Sequence, residues 1–305
     1  ESRSAILTGL YPHQNGQIGL ATHKYSMHRN WPNIPSLLKQ QGYRTGIIGK
    51  LHVNPESAFP FDFRWNKAAF CSFSHRDVRK IADVVEEFIT ESAEPFFLMV
   101  NYPDAHLPWL PQQDGLPETL LTADDVETLP FVGIDVPRLR ACTADYYNCT
   151  RRLDSGIGML LKKLARAGHE QDTLVIYLGD HGAQFQRGKL SCYEGGLRVP
   201  LIVRWPGQAT EGLVSEELVA TVDLLPTILE AVGAEVPTGL AGRSIVPLLC
   251  NEAASWREYL FAEYHSHYPP IYFPQRTVRD ARFKLIVNLL QDRVNPVAQP
   301  KEPVV

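Results

Sequence analysis

Residues 173–182, TLVIYLGDHG, decide the fold class. Six apolar or β-branched positions run together without helical spacing, and a glycine, an aspartate, a histidine and a second glycine follow. A short run of this kind, apolar on both faces, predicts a buried strand of a largely parallel sheet. In open α/β sheets, ligands bind beyond the carboxyl ends of the strands. The stretch therefore predicts both a sheet and a functional rim, with Asp180 and His181 on it.

Two other runs have the same form. YRTGII at 43–48 leads into Gly49-Lys50-Leu51-His52, and PFFLMV at 95–100 leads into a loop with Asp104-Ala105-His106. VPLIVRW at 199–205 reads as a further strand, reached through GKLSCYEGGLR at 188–198. Helical patterns lie between them at 35–41, 81–91, 136–167 (with Gly168 as its stop) and 224–232. The fold class is α/β, a mainly parallel sheet flanked by helices. After Cys250 the texture changes, and 259–264 and 283–290 read as strands of a smaller antiparallel unit.

Composition excludes several classes. The 305 residues are 44% hydrophobic and 21% charged, a globular balance. A net charge of −4, from 30 basic and 34 acidic residues, argues against a nucleic-acid partner held by bulk charge. No apolar run approaches the roughly 20 residues of a membrane-spanning helix. The five cysteines are scattered without CxxC spacing, and their odd number neither demands nor excludes a disulfide. Asn148-Cys149-Thr150 is a glycosylation triplet, but it sits in a helical pattern.

If the three strands are neighbours, Lys50, Lys189, His52, His106, His181, Asp104 and Asp180 converge on one rim. Each piece alone has a plain reading. A Gly-Lys is an ordinary turn, an Asp-His-Gly is an Asx turn, and His106 is a solvated loop histidine. The plain reading has to hold at four strand ends at once, which favours a site. Lysines suit an anion, histidines acid–base work, and carboxylates a cation.

Several stretches carry a family resemblance. Ser2-Arg3-Ser4-Ala5-Ile6-Leu7-Thr8-Gly9 resembles the second half of the first sulfatase signature, Cys-X-Pro-Ser-Arg followed by a helix ending Leu-Thr-Gly. Residues 42–52, GYRTGIIGKLH, resemble the second signature along its whole length. YEGGLRVP at 193–200 and Asp223-Leu224-Leu225-Pro226-Thr227 are further marks. The resemblance implies an alkaline-phosphatase-like fold. Residues 1–250 would form the catalytic domain and 251–305 the start of the smaller C-terminal unit. In the family the nucleophile is a formylglycine made from a cysteine or serine four places before the signature arginine. Relative to Arg3 that position falls before Glu1, as would the strand bearing the paired metal-binding aspartates, so residues 1–305 are expected to be a fragment without turnover. Glu1 stands where the family usually has proline. Cys71-Ser72-Phe73-Ser74-His75-Arg76 only imitates the signature, because its arginine is one place late, and Cys71 reads as a structural or surface thiol.

The resemblance also implies roles. Arg3 and His52 would hold the formylglycine hydroxyls, Lys50 and Lys189 the sulfate oxygens, and His106 would contact the sulfate or protonate the leaving group. Asp180, with His181 beside it, would bind one divalent cation, usually Ca2+. Imidazole is a poorer calcium ligand than oxygen, which leaves the metal open.

Within the family the chain looks most like the N-sulfoglucosamine sulfohydrolases (sulfamidases). Residues 13–16, 46–53, 60–63, 274–278 and 283–289 carry that likeness. Asp104, His267 and Arg276 are the expected sugar-recognition residues. Lys189 stands where sulfamidases carry arginine, as in most O-sulfatases. Expected partners are a sulfated glycan, a formylglycine-generating enzyme and, in one arrangement, a second copy of the chain. The expected location is periplasmic, secreted or lysosomal rather than cytoplasmic. The alternatives are an O-sulfatase on another sugar, a phosphoryl-transfer enzyme of the same superfamily, and a non-catalytic glycan-binding protein.

Overall fold

The computed structural model describes residues 1–252 and 255–297. Two short helices, α1 (Ser2–Thr8) and α2 (Pro12–Asn15), lead to α3 (Ile34–Gln40). The start of α3 is fixed locally. Asn33 accepts a hydrogen bond from the Ser36 amide at 3.1 Å, and Pro35 occupies the first turn. Strand β1 (Arg44–Ile48) follows, then β2 (Phe63–Trp65) and α4 (Val78–Thr90). Helix α4 is capped by the Asp77 carboxylate, which accepts from the Lys80 amide at 2.9 Å. Next come β3 (Phe96–Val100), the 30-residue α5 (Pro137–Arg166), β4 (Val175–Leu178), the single turn α6 (Glu194–Leu197) and β5 (Leu201–Arg204). Helices α7 (Leu224–Ala231) and α8 (Val246–Leu249) precede β6 (Leu260–Tyr264), β7 (Gln275–Arg279) and β8 (Lys284–Asn288).

Strands β2, β1 and β3 form a parallel sheet with β1 central, Gly46 standing opposite Phe63 and Leu98. Successive side chains of a strand point to opposite faces, and β1 uses both. Ile47 packs with Leu7, Ile34, Leu38, Leu225 and Leu229, from α1, α3 and α7. Ile48 packs with Ile81, Val85, Phe88 and Leu164, from α4 and α5. Each fully buried isoleucine contributes about 1.5–3 kcal/mol. The doubly apolar run at 43–48 is thus a strand with helices on both sides.

The sheet is mainly rather than wholly parallel, and the exception is β5, which runs antiparallel to β4 with Val175 opposite Arg204. The connection between them stays at one end of the sheet. It contains a single helical turn, and Pro200 returns beside Gly179, whose amide donates to its carbonyl at 3.2 Å. A strand that starts where its predecessor ended runs back along it.

Among the described residues β3 pairs only with β1, and β4 only with β5. Residues of both line one cavity of about 1790 Å³, walled by apolar side chains of α4, α5 and α7. The polar strand ends stand at the same cavity.

Strands β6, β7 and β8 form the expected antiparallel sheet. It holds the loop around α6. Arg279 pairs with Glu194 at 2.8 Å, and Lys284 Nζ donates to the Cys192 carbonyl at 3.1 Å. Residues 253–254 and 298–305 of the expected C-terminal unit lie outside the described residues. Among the described residues no helix is long and apolar enough to cross a membrane. All five cysteines are free thiols. Asn148 is buried in α5, its amide bonded to both backbone groups of Leu121 at 2.9 Å, so the asparagine of the glycosylation triplet is closed to solvent.

Candidate active site

Gly49 is where β1 becomes the site. Its φ is +84°, and a Cβ there would meet the Asn101 carbonyl oxygen at 2.1 Å. Only glycine both takes the left-handed turn and lets the chain leave β1 tightly against the end of β3. Lys50 and His52 follow at once. At β4 the chain is held by Gly182, whose amide donates to the Gly196 carbonyl at 2.9 Å. A Cβ on Gly182 would overlap the Gly195 carbonyl at 1.8 Å. The GDHG and EGG stretches are therefore locked together, which keeps Asp180 and Lys189 on one rim.

Arg3, Lys50, His52, His106, Asp180, His181, Lys189 and His267 all line the cavity. Arg3 Nε lies 3.1 Å from Asp180 Oδ2, and its Nη1 donates to the Lys50 carbonyl. Lys189 Nζ is 3.5 Å from His106 Nε2, and His181 Nε2 is 3.7 Å from Asp180 Oδ1. His106 Nδ1 donates to the Leu107 carbonyl at 2.6 Å, and His181 Nδ1 to the Gly182 carbonyl at 2.9 Å. A carbonyl can only accept, so these bonds fix both tautomers and leave each Nε2 free for chemistry.

The charges do not cancel. Arg3, Lys50 and Lys189 face one carboxylate, that of Asp180. Burial, then the Arg3 charge, pushes Lys50 below its ordinary range. Burial lowers Lys189 as well, aided by Lys50 and Arg3. Burial alone would raise Asp180, but His181, Arg3 and Lys189 hold it at about 2. Burial, Lys50 and Arg3 bring His52 down to about 3, and burial, Lys189 and His181 bring His267 to about 4. His52 Nε2 is buried with no hydrogen-bond partner. Surplus positive charge with an unsatisfied buried nitrogen is what an anion would relieve.

A cation fits this rim in part. Asp180 Oδ1 and His181 Nε2 are two donors close enough to share one ion. They supply well under the about six to eight oxygens that calcium takes. Among the described residues a three-donor grouping occurs at His75, Asp77 and Asp114, none of which lines the cavity.

The three expected sugar-recognition residues are placed differently. Asp104 has no exposed side-chain surface. Its Oδ1 accepts from Arg76 at 2.7 Å and from Arg152 at 2.6 Å, and its Oδ2 accepts from Arg152 Nε at 2.9 Å. Both oxygens are engaged by two buried guanidiniums, so the carboxylate anchors the loop rather than reaching into the cleft. Arg276 on β7 is half exposed, with Nη1 3.6 Å from Glu263, which also binds His13, and it does not line the cavity. His267 lines the cleft, and Asp104 borders it with its carboxylate turned to the two arginines.

Sequence reasoning missed Phe73, Arg76 and Arg152. Arg76 donates to Asp104 and to the carbonyls of His106 at 2.8 Å and Pro108 at 2.7 Å, holding the His106 loop. The Phe73 ring stacks on His106, centroids 4.2 Å apart. The available signal was the stretch at 71–76 set aside as an imitation of the signature.

The chain matches the sulfatase family model over residues 1–234, and the model for the N-sulphoglucosamine sulphohydrolase C-terminal region over residues 179–295. It is 33% identical to human N-sulphoglucosamine sulphohydrolase, over 94% of this chain and 63% of that protein. It is 28% identical to an ulvan-active sulfatase of Formosa agariphila, over 94% of this chain and 55% of that protein. The chain thus spans less than two thirds of these relatives. A solved structure, BT4656 in complex with D-glucosamine-2-N,6-O-disulfate, superposes with a TM-score of 0.74 at 22% identity, covering 93% of this chain and 78% of that one. At that identity the likeness establishes the fold.

Proposed function

The chain belongs to the sulfatase family, and on that premise we propose that the whole protein hydrolyses the N-sulfate of glucosamine in heparan-type glycans. The observation that carries the reading is the cluster of Arg3, Lys50 and Lys189 around one carboxylate, with the unsatisfied nitrogen of His52 among them. The 33% identity to the human sulphohydrolase directs the choice of substrate. The Lys189 position, where sulfamidases carry arginine, keeps an O-sulfate as the alternative.

Lys50 and Lys189 bind the sulfuryl oxygens as point charges, and the Asp180 carboxylate offsets the cluster's charge only in part. Arg3 and His52 hold the hydroxyl groups of the attacking residue. A formylglycine upstream of Glu1 would supply that nucleophile as a hydrated aldehyde. Asp180 and His181 would hold a divalent cation, Ca2+ by family habit, which adds positive charge at the sulfuryl group. His106, once protonated, gives the leaving group its proton from Nε2. Burial first, then Lys189 and Lys50, lower its pKa and favour the neutral form. A bound anion offsets the lysines and raises its pKa, so the imidazole gains its proton when substrate is present. His267 stands on the sugar side of the cleft. Maturation by a formylglycine-generating enzyme, a location outside the cytoplasm and a homodimer belong to the same reading.

The test is turnover by the whole protein of N-sulfated against 6-O-sulfated glucosamine. Faster release from the N-sulfate is expected. A clear preference for the O-sulfate sinks the N-sulfate assignment, and inactivity on every sulfated sugar sinks the enzyme reading itself.

A further inference from the structure

Phe73 stands at the tip of a tight turn. The turn at 72–75 is closed by the Ser72 amide donating to the His75 carbonyl at 2.8 Å and by the His75 amide donating to Ser72 Oγ at 3.0 Å. Such turns favour Gly, Pro, Asn, Asp and Ser, each for a backbone reason. A phenylalanine there gains nothing from the turn, and 42% of it is exposed. Its ring lies on the His106 imidazole with planes 16° apart, and Lys50 Nζ stands 5.3 Å from the ring centre. One buried guanidinium aligns the two rings, because Arg76 donates to the Phe73 carbonyl at 3.2 Å and to the His106 carbonyl at 2.8 Å. The ring also borders the open cavity.

Building on the sulfatase reading above, we propose that Phe73 is a positioning and specificity residue: it fixes the plane of His106 and offers its open surface to the C–H face of the leaving sugar ring. The lysines recognise a sulfuryl group in any substrate. Phe73 acts on the part that differs between substrates, the ring carrying the leaving nitrogen or oxygen. A pyranose held flat against this wall presents that atom to His106 Nε2, which turns binding of the sugar into alignment for proton transfer. A purely structural phenylalanine would be expected to affect stability and nothing else.

The experiment uses the whole protein with Phe73→Leu, Phe73→Ala and Phe73→Tyr. The substrate is glucosamine N-sulfate, and inorganic sulfate serves as competitive inhibitor. An aromatic contact of this kind predicts a loss of about fivefold in kcat/KM for the Leu and Ala variants. The loss should be recovered to within about twofold by Tyr, with the inhibition constant of sulfate constant to within about twofold throughout. Leucine keeps most of the volume, so the Leu–Tyr comparison decides the matter even if the Ala variant fails to fold. Equal loss of sulfate affinity in Phe73→Leu overturns the proposal, as does kcat/KM unchanged in that variant while the wild type is active. A wild type that turns over no sulfated sugar overturns the enzyme reading, and the role of Phe73 with it.

Discussion

The Lys189 ammonium lies 3.5 Å from Nε2 of His106, whose other nitrogen is committed to the Leu107 carbonyl at 2.6 Å. The proposed proton donor and one of the sulfate ligands are therefore coupled before substrate arrives. Burial lowers the His106 pKa most, and Lys189 and Lys50 lower it further. Lys189→Met removes one of these charges. The His106 pKa, followed by imidazole NMR, should rise while staying below the ordinary histidine value, since burial remains. Saturating sulfate should move it in the same direction. A fall, or no movement, contradicts the coupling. The same variant should lose about tenfold or more in sulfate affinity, the scale of one charge-assisted hydrogen bond.

Asp104 and Arg276 should behave oppositely. Asp104→Ala leaves Arg76 and Arg152 buried without their shared carboxylate, which costs about 3–5 kcal/mol. Arg276 is half exposed and at 3.6 Å from Glu263, so Arg276→Ala should stay within about 0.5 kcal/mol. Urea denaturation of both variants measures this. A stable Asp104→Ala with only a raised KM would restore that residue to substrate recognition and remove the anchoring role.

These two residues also mark where the sequence stopped being legible. The strands β1, β3 and β4 were readable because an apolar run bounded by glycine or, at β3, by proline is a local signal, and the polar residues after them are placed by chain continuity. That is why Lys50, His106 and Asp180 were found, and why all three line one cavity. Asp104 lies in the same loop as His106, yet its carboxylate is taken by Arg76 and Arg152, 28 and 48 residues away. No local pattern announces such a triad. Strands β2 and β7 were missed for a related reason. FRW is three residues long, and QRTVR carries two arginines, so neither shows the apolar run that marks a buried strand. Their strand character comes from partners already in place, Gly46 to Ile48 for β2 and Leu260 to Tyr264 for β7.

Stability should fall on the acid side because of the cleft histidines. His52 and His267 have folded values of about 3 and about 4, both depressed first by burial. Unfolded, each titrates near about 6.5. Between those values the unfolded chain binds protons that the folded one refuses, so folding is favoured above about pH 6.5 and loses ground as the pH falls toward 4 and then 3. Sulfate, by offsetting Lys50 and Lys189, should soften the loss. Thermal midpoints from pH 7.5 to 4.5 with and without sulfate give the test. His52→Gln should flatten the profile. A midpoint that rises as the pH drops through this window contradicts the depressed values.

Gly49 offers the sharpest backbone test, because one methyl group separates the fold from the site. At φ +84° an alanine is strained by about 1–2 kcal/mol whatever its surroundings. Here its Cβ would also meet the Asn101 carbonyl oxygen at 2.1 Å, a backbone atom at the end of β3 that cannot swing aside. The Gly49 amide donates to the Trp65 carbonyl at 2.7 Å and the Asn101 amide to the Ile48 carbonyl at 2.8 Å, so relieving the clash means breaking the upper rungs of the parallel sheet. Lys50 and His52 ride on that end of β1. Gly49→Ala should therefore lower the unfolding free energy by more than the strain alone, about 3 kcal/mol or above. It should also weaken inorganic sulfate binding, which Gly42→Ala, at φ +79° with no atom within 4 Å, should not do. Equal effects of the two substitutions on sulfate affinity would mean that the exit of β1 does not set the position of Lys50.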